Sequence, residues 1–258
     1  MFLKYILGAI VSIPLLPIIY FQGKKVRASV PKLPEAKGNE GMVGEGRPFK
    51  MLAIGESTIA GVGVKTHEEG FTGAMAKELA ACLNVKISWK VYARSGYTAA
   101  RVRSKLLPKI LDQNIDLIVI GLGGNDAFTL NRPWVWVRDV KGIIEDLQEK
   151  YPATPIVFAN MPPIKLFPAF TPAIHFVLGN LVEIHGEALG KLVQSMPNVY
   201  YNSDVITLDR WLKRWNIDPE TAQFFSDGVH PSKLTYQTWG KDLARFVLDK
   251  KVLNLEAM

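Results

Sequence analysis

Cysteine is nearly absent from this sequence: Cys82 is the one cysteine among 258 residues. One thiol cannot form an internal disulfide or a cysteine-rich zinc cluster, so the redox compartment is not indicated. The four histidines also lack the spacing of paired metal ligands such as HExxH. We therefore expect no metal and no other cofactor, and we expect structural or surface positions for His67, His175 and His185.

Concentrated positive charge is missing from most of the chain, although the formal net charge is +7. Residues 1–50 carry eight Lys and Arg against three Glu, whereas residues 51–258 carry 23 basic and 21 acidic residues. Nucleic-acid binding depends on cationic side chains gathered against phosphates. A nearly neutral domain behind a basic N-terminal arm does not fit that function, so we expect no nucleic-acid partner.

Three common site motifs are excluded when they are spelled out. Gly61–Thr66 (GVGVKT) lacks the glycine before lysine of a phosphate-binding P-loop and the final glycine of a dinucleotide fingerprint. Gly55–Ile59 (GESTI) begins like the nucleophile elbow of the α/β-hydrolases but has Ile59 where the closing glycine belongs.

One long hydrophobic run is present, because Tyr5 to Phe21 contains seventeen residues without a charge. At about 1.5 Å per residue it makes about 26 Å of helix, at the short end of a membrane span. We expect a retained membrane anchor, with a cleaved signal segment and a helix docked on the domain as alternatives. The protein is then membrane-anchored through residues 5–21, or exported if that segment is cleaved, and the side of the membrane is undecided.

Composition divides the chain into three parts. Residues 1–23 hold the anchor or signal segment, and residues 24–48 are expected to be a linker because Pro31–Pro48 is rich in proline, glycine and charge. The globular domain is expected over residues 49–258.

Within the domain, short aliphatic runs alternate five times with longer amphipathic stretches. The expected strands are Lys50–Gly55, Val85–Ala93, Asp116–Leu122, Pro155–Asn160 and Asn198–Asn202. The expected helices lie within Glu68–Leu83, Ala99–Gln113, Trp134–Lys150, Thr171–Met196 and Tyr236–Lys250. This alternation predicts an α/β fold with a doubly wound parallel sheet, in which ligands bind beyond the carboxyl ends of the strands.

Small and polar residues stand at those strand ends. A serine hydroxyl becomes a nucleophile when a base takes its proton and an acceptor holds the base in its tautomer, and Ser57, His230 and Asp227 supply that set. A tetrahedral intermediate also needs hydrogen-bond donors, for which the candidates are the backbone N–H groups of Ser57 and Gly96 and the side chain of Asn125.

In four blocks the sequence resembles the SGNH or GDSL hydrolases. The blocks are GESTIAGVG (Gly55–Gly63), ARSGYTA around Gly96, GGND (Gly123–Asp126) and DGVHP (Asp227–Pro231). The resemblance implies a flavodoxin-like three-layer α/β/α sandwich with a five-stranded parallel sheet, and a serine hydrolase of esters or thioesters. It also implies roles: Ser57 as nucleophile, His230 as base and Asp227 as its partner. Ser57, Gly96 and Asn125 would form the oxyanion hole.

The first block departs from the family at one position, because Glu56 stands where the family usually has Asp. The carboxylate is kept with one more methylene, so we expect rearranged local hydrogen bonds with activity intact. Asp126, in the third block, is expected to shape its loop.

Apolar segments near the expected site bear on the substrate. Trp134, Trp136 and Met161–Phe170 either line an acyl groove or lid, or cover the sheet edge. With an anchor beside the site, lipid-like acyl esters rank above sugar acetyl esters. A carbohydrate acetyl esterase, a catalytically silent membrane-tethered binding protein on the same fold, and a binder of nucleic acid or lipid surfaces through the basic arm are the alternatives.

Overall fold

Six strands form one sheet in the structure, a computed structural model that describes residues 2–220 and 222–253. They are β1 (Glu40–Val43), β2 (Arg47–Gly55), β3 (Val85–Ala93), β4 (Leu117–Gly121), β5 (Ile156–Phe158) and β6 (Val199–Tyr201). The strand order is β1-β3-β2-β4-β5-β6, with β1 antiparallel to β3 and every other neighbouring pair parallel. The five parallel strands are those that the sequence predicted.

The helices lie on both faces of this sheet and before its first strand. They are α1 (Phe2–Ser12), α2 (Leu16–Ser29), α3 (Phe71–Leu83), α4 (Ala99–Lys105), α5 (Gly124–Phe128), α6 (Pro133–Lys150), α7 (Pro172–Ile174), α8 (Asn180–Val193), α9 (Leu208–Arg214) and α10 (Lys233–Asp249). A 3-10 turn at Ile13–Leu15 joins α1 to α2, and a π-helical turn at His175–Gly179 joins α7 to α8.

Strand β2 shows why the sheet is covered on both faces. Successive strand residues point to opposite faces. Met51 and Ala53 belong to the apolar cluster beneath α3 and α10, whereas Leu52 and Ile54 belong to the cluster beneath α4, α6 and α8. A strand buried on both sides needs a continuous apolar run, and its presence here explains why the predicted three-layer α/β/α fold is confirmed.

The segment expected to be a linker, residues 24–48, contains regular structure. Helix α2 continues to Ser29, β1 adds a sixth strand beside β3, and β2 begins at Arg47. Strand β1 was not predicted because its four residues are half exposed and include a glycine. That glycine, Gly41, lies opposite Trp89, and a Cβ atom there would stand 2.3 Å from the indole ring.

The N-terminal helical segment, Leu3–Ser29, is docked against the domain. Its length and composition are sufficient to cross a membrane, although a signal sequence near the N-terminus meets the same criteria. Tyr5 packs edge-on against Trp134 with ring centroids 5.3 Å apart. Lys4 forms an ion pair with Glu187. Docking on the domain was one of the three interpretations of this segment left open by its sequence.

Candidate active site

A pocket of about 130 Å³ opens at the carboxyl ends of β2, β3 and β4. It brings together Ser57, Gly96, Asn125 and His230 from four separate segments of the chain. Asp227 lies behind His230, and 1% of its side chain is exposed. Further side chains complete the walls: Phe128, Pro162, Pro163, Phe167, Phe225, Val229 and Trp239.

Ser57 lies in a tight turn after β2. The turn begins at Gly55, where a Cβ atom would stand 2.3 Å from the carbonyl oxygen of Gly121 on the neighbouring strand. The N–H of Val62 donates to the Ser57 carbonyl at 3.1 Å and holds the turn closed. Ser57 lines the pocket together with His230, and across residues 2–220 and 222–253 its hydroxyl makes no hydrogen bond.

His230 and Asp227 form a close pair. Their Nδ1 and Oδ2 atoms are 2.7 Å apart, and Asp227 Oδ1 accepts from the backbone N–H groups of Val229 and His230 at 2.9 and 2.7 Å. Burial acts to raise the pKa of Asp227, but hydrogen bonds from His230 and Val229 outweigh it and hold this pKa below its usual value. The carboxylate is therefore ionised at neutral pH and fixed on both oxygens.

Two further residues supply hydrogen-bond donors at the pocket. Gly96 has φ +80°, and no atom lies within 4 Å of the position a Cβ would take, so glycine is favoured there by its backbone conformation rather than by space. The side-chain amide of Asn125 donates to the Tyr97 carbonyl at 3.2 Å. This hydrogen bond therefore anchors the Asn125 side chain at the pocket.

Glu56, which stands where the family usually has Asp, forms hydrogen bonds with the backbone of the third block, Gly123–Asp126. Its carboxylate accepts from the backbone N–H groups of Gly124 and Asn125 at 2.7 and 3.0 Å. Burial raises the pKa of Glu56 to about 8, although these two hydrogen bonds act to lower it. Asp126 is also buried and accepts from the Ala99 N–H and the Asn131 side chain, which ties its loop to the start of α4.

The two tryptophans expected near the site lie outside the pocket. Trp136 is fully buried and stacks on His185 with ring centroids 4.8 Å apart, while Trp134 is 41% exposed beside Tyr5. Of the segment Met161–Phe170, three residues do line the pocket: Pro162, Pro163 and Phe167.

The histidines outside the site are held by other elements. His67 and His185 are buried, and burial lowers the pKa of each to about 4. His175 Nε2 lies 2.9 Å from the Phe167 carbonyl oxygen.

Four wall residues escaped prediction: Phe128, Phe225, Val229 and Trp239. Phe128, Phe225 and Trp239 lie outside the four sequence blocks, so no polar motif marked them as wall residues. Val229, inside the DGVHP block, is the one that sequence position could have indicated.

Known proteins resemble this chain in sequence pattern and in fold. The model of the GDSL-like Lipase/Acylhydrolase family matches residues 53–238. No curated protein matches the chain.

Among solved structures, the lipase Lip_vut3 from a goat rumen metagenome is 22% identical, with a TM-score of 0.58 over 80% of this chain and 99% of that chain. A lipase/acylhydrolase from Enterococcus faecalis is 19% identical, with a TM-score of 0.54 over 78% and 96%. The family 3 carbohydrate esterase of Clostridium thermocellum is 17% identical, with a TM-score of 0.55 over 82% and 98%. At these identities the likeness shows the fold alone.

Proposed function

Because the chain belongs to the GDSL-like lipase/acylhydrolase family, we propose that it is a serine hydrolase that cleaves carboxylic acyl esters through an acyl-enzyme. Family membership supports an ester hydrolase, and the roles of individual residues are part of the proposal. Ser57 is the nucleophile, His230 the general base, and Asp227 the residue that orients His230.

The observation that carries this proposal is the pairing of Asp227 with His230 at 2.7 Å in the pocket that Ser57 lines. When Asp227 accepts the proton of Nδ1, the Nε2 atom of His230 is the basic one and is free to take the Ser57 proton. The ionised Asp227 then stabilises the imidazolium that forms. The serine is thereby activated at neutral pH.

In the proposed reaction, a bond forms between Ser57 Oγ and the acyl carbon while the hydroxyl proton moves to His230. The carbonyl oxygen becomes an oxyanion. When the intermediate collapses, the bond to the leaving alcohol breaks and His230 returns its proton to that alcohol. Water then attacks the acyl-serine with the same base, which releases the acid and restores Ser57.

The oxyanion needs donors that are already in place. The backbone N–H groups of Ser57 and Gly96 and the second N–H of the Asn125 amide are the proposed donors. Each such donor typically contributes on the order of 3 kcal/mol to the transition state. Two contacts support the Asn125 donor. The Asn125 side chain donates to the Tyr97 carbonyl, and the Glu56 side chain accepts from the backbone N–H of Asn125. Both contacts limit how far the Asn125 loop can move.

The apolar walls support acyl esters, including lipid-like esters or thioesters, as the substrate class. Phe128, Phe167 and Phe225 line the pocket and belong to one apolar cluster, and Thr58 and Ser95 line it as well. A sugar acetyl ester would place hydroxyl groups against these aromatic residues. We further propose that the N-terminal segment associates with a membrane, with an exported protein lacking the segment as the alternative.

Fluorophosphonate labelling tests the proposal because the reagent modifies an activated serine. We expect the wild-type protein to be labelled and Ser57→Ala to be unlabelled. Ser95→Ala is the matched control, since Ser95 lines the same pocket, and it should be labelled like the wild type. Labelling that persists in Ser57→Ala would contradict the assignment of the nucleophile.

A series of p-nitrophenyl esters from acetyl to palmitoyl then tests the substrate class. The apolar walls predict faster turnover of acyl chains longer than acetyl. Highest turnover on the acetyl ester would favour the carbohydrate acetyl esterase. Absence of both labelling and turnover in the wild-type protein would favour the catalytically silent binding protein.

A further inference from the structure

The N-terminal helical segment, Leu3–Ser29, has two different faces. Its less exposed residues recur every three or four positions along one side, and they include Tyr5, Gly8, Ala9, Ser12, Leu15, Ile19, Gln22 and Val26. That spacing is one stripe of an α-helix, and here the stripe lies against the domain. The opposite side carries nine large apolar residues that are each at least 41% exposed: Leu3, Leu7, Ile10, Val11, Ile13, Leu16, Ile18, Tyr20 and Phe21. We call this side the outer face.

The inner stripe contacts the domain along nearly its whole length. From Tyr5 to Val26 the segment rises about 32 Å at about 1.5 Å per residue, which matches the hydrocarbon thickness of a bilayer. At one end Lys4 pairs with Glu187, and towards the other the Thr171 hydroxyl donates to Gln22. If the docked segment crossed a bilayer, these polar contacts and the adjoining domain surface would enter hydrocarbon, at a high free-energy cost. The docked segment therefore fits a position in the membrane plane.

The outer face has the chemistry of a membrane-surface helix. Residues 2–29 contain no acidic residue, and the apolar positions are followed by exposed Lys24, Lys25 and Arg27. Basic residues at a bilayer surface are attracted to anionic headgroups, at about 1 kcal/mol each. Tyr20 lies beneath the Lys24 ammonium at 5.6 Å, which places an aromatic ring at the boundary between the apolar and basic parts. Charge and composition together favour an anionic lipid bilayer as the occupant of this face.

The inner stripe and the pocket walls belong to one apolar cluster. Tyr5, Leu15, Ile19 and Val26 pack against the same buried residues of the 164–182 region as do Phe128, Phe225 and Val229 of the pocket. Aromatic contacts run through this cluster, since Phe167 lies 5.5 Å from Phe225 and 5.4 Å from Phe170 between ring centroids.

The segment that follows Phe170 reaches the N-terminal helix. Thr171, the next residue, is the one that donates to Gln22 of α2. Packed side chains therefore connect the pocket walls to the helical segment.

The size of the pocket shows where a long substrate must lie. Sites that enclose drug-sized ligands have volumes of about 300–1,000 Å³, and this pocket has about 130 Å³. A long acyl chain bound with its ester at Ser57 would therefore extend beyond the pocket, whose aromatic wall residues belong to the cluster on which the N-terminal segment packs.

We propose that the N-terminal segment lies in the plane of a lipid bilayer with its outer face in the lipid, so that the pocket takes amphiphilic esters directly from the membrane. This inference rests on the proposed ester hydrolase function, which it deepens by naming the source and class of the substrate.

Depth measurement tests the orientation separately from catalysis. In the full chain with Cys82→Ser, single cysteines at Leu7, Ile10 and Ile18 carry a fluorophore, and vesicles of equal parts phosphatidylcholine and phosphatidylglycerol carry quenchers at known depths. We expect one shallow depth at all three positions. Leu111→Cys, on an exposed apolar residue that precedes β4 at the amino edge of the sheet, opposite the pocket, is the control and should not be quenched.

Other depth profiles would overturn the proposal. Depths that differ along the segment, with Leu7 shallow and Ile10 and Ile18 deeper, would mean that the segment crosses the bilayer. No quenching, together with a mass in solution that corresponds to two copies, would mean that a second chain covers the outer face.

Activity provides the second test. Leu7→Glu together with Ile18→Glu should lower hydrolysis of a long-chain ester embedded in the same vesicles by about tenfold or more, because both carboxylates oppose burial in lipid. Hydrolysis of soluble p-nitrophenyl butyrate should stay within about twofold, since neither residue lines the pocket. Leu111→Glu with Val205→Glu is the matched control, because both residues are exposed and apolar but lie outside the N-terminal segment.

The two assays separate the possible failures. Equal loss on soluble and embedded esters, or no loss on the embedded ester, would overturn the membrane-entry proposal. A wild-type chain that shows the shallow depth profile but hydrolyses neither ester would overturn the proposed hydrolase function, and with it substrate entry, while supporting the membrane position.

Discussion

Glu56 and Asn125 are joined across two strand ends, because Glu56 Oε2 accepts the Asn125 backbone N–H at 3.0 Å. The other carboxylate oxygen accepts the neighbouring N–H of Gly124 at 2.7 Å. The residue beside the proposed nucleophile therefore fixes the loop that carries a proposed oxyanion donor. We therefore expect Glu56 to be a positioning residue, which acts on the proposed reaction through Asn125.

Replacing Glu56 by Ala should lower kcat by about 10–100-fold and leave KM within a few-fold. Two buried N–H groups would lose their acceptor, at about 1–3 kcal/mol each, and the Asn125 side chain would no longer be held at the pocket. Steady-state kinetics and thermal unfolding measure both effects. Glu56→Asp keeps a carboxylate and should recover part of kcat; an Asp variant no better than Ala, or an Ala variant with normal kcat, would contradict the positioning role.

The Glu56 carboxyl should also make the free energy of unfolding decrease as the pH rises. Burial raises its pKa to about 8 from 4.5. The folded state therefore holds the proton more tightly than the unfolded chain, and this contribution to stability is complete below about pH 4.5 and is lost as the pH rises through about 8. The free energy of unfolding in urea, measured from pH 5 to 9, should fall with pH in the wild type. Glu56→Gln should flatten that decline, and an unchanged slope would show that another group causes it.

His185 should have the opposite effect, because it should make the free energy of unfolding decrease as the pH falls. Burial lowers its pKa to about 4 from 6.5, so its contribution is present above about pH 6.5 and is lost as the pH falls through about 4. His185→Gln should reduce the loss of unfolding free energy between these pH values. His175→Gln is the control, because His175 also lies 2.9 Å from a backbone carbonyl oxygen but is only half buried. Equal pH dependence of the His185→Gln variant and the wild type would contradict the assignment.

Sequence reasoning succeeded where a residue's environment is set by local pattern. Strands buried on both faces require continuous apolar runs, and for that reason β4 (Leu117–Gly121), which is buried at every residue, was predicted within Asp116–Leu122. The polar residues of the site follow from the rule that parallel strands end on the same side of a sheet.

Features that depend on distant partners were not predictable. Strand β1 exists because it pairs with β3, and the docking of α2 depends on residues such as Thr171, far along the chain. The tryptophans at 134 and 136 are two positions apart on α6, which places them on different sides of the helix. Their closeness to the third block in the sequence therefore did not predict whether either tryptophan lines the pocket.

Ser57 and His230 should act as one unit in catalysis. Each of Ser57→Ala and His230→Ala should lower kcat by several orders of magnitude, and the double variant should lose little more than either single variant. The reason is that the base has no function without the hydroxyl whose proton it takes. Turnover of p-nitrophenyl butyrate by the three variants measures the coupling. Losses that multiply in the double variant would mean that the two residues contribute independently.

Asn125 tests whether the pocket stabilises the transition state. Its side-chain amide is proposed to donate to the developing oxyanion, so Asn125→Ala should lower kcat by about 10²–10³ and leave KM within a few-fold. Fluorophosphonate labelling should slow but persist, because Ser57 and His230 remain. Thr129→Val is the matched control: it removes hydrogen bonds to the carbonyls of Asn125 and Asp126 without altering the pocket wall.

The outcomes for Asn125→Ala separate three roles. A loss confined to kcat, with normal unfolding and a normal Thr129→Val variant, supports an oxyanion donor. A large fall in melting temperature would instead make the hydrogen bond to Tyr97 the main role of the residue, as a turn-forming amide. A rise in KM with unchanged kcat would mean that Asn125 binds ground state and transition state equally, because only an interaction that strengthens in the transition state changes kcat. In that case the backbone N–H groups of Ser57 and Gly96 would be left as the oxyanion donors.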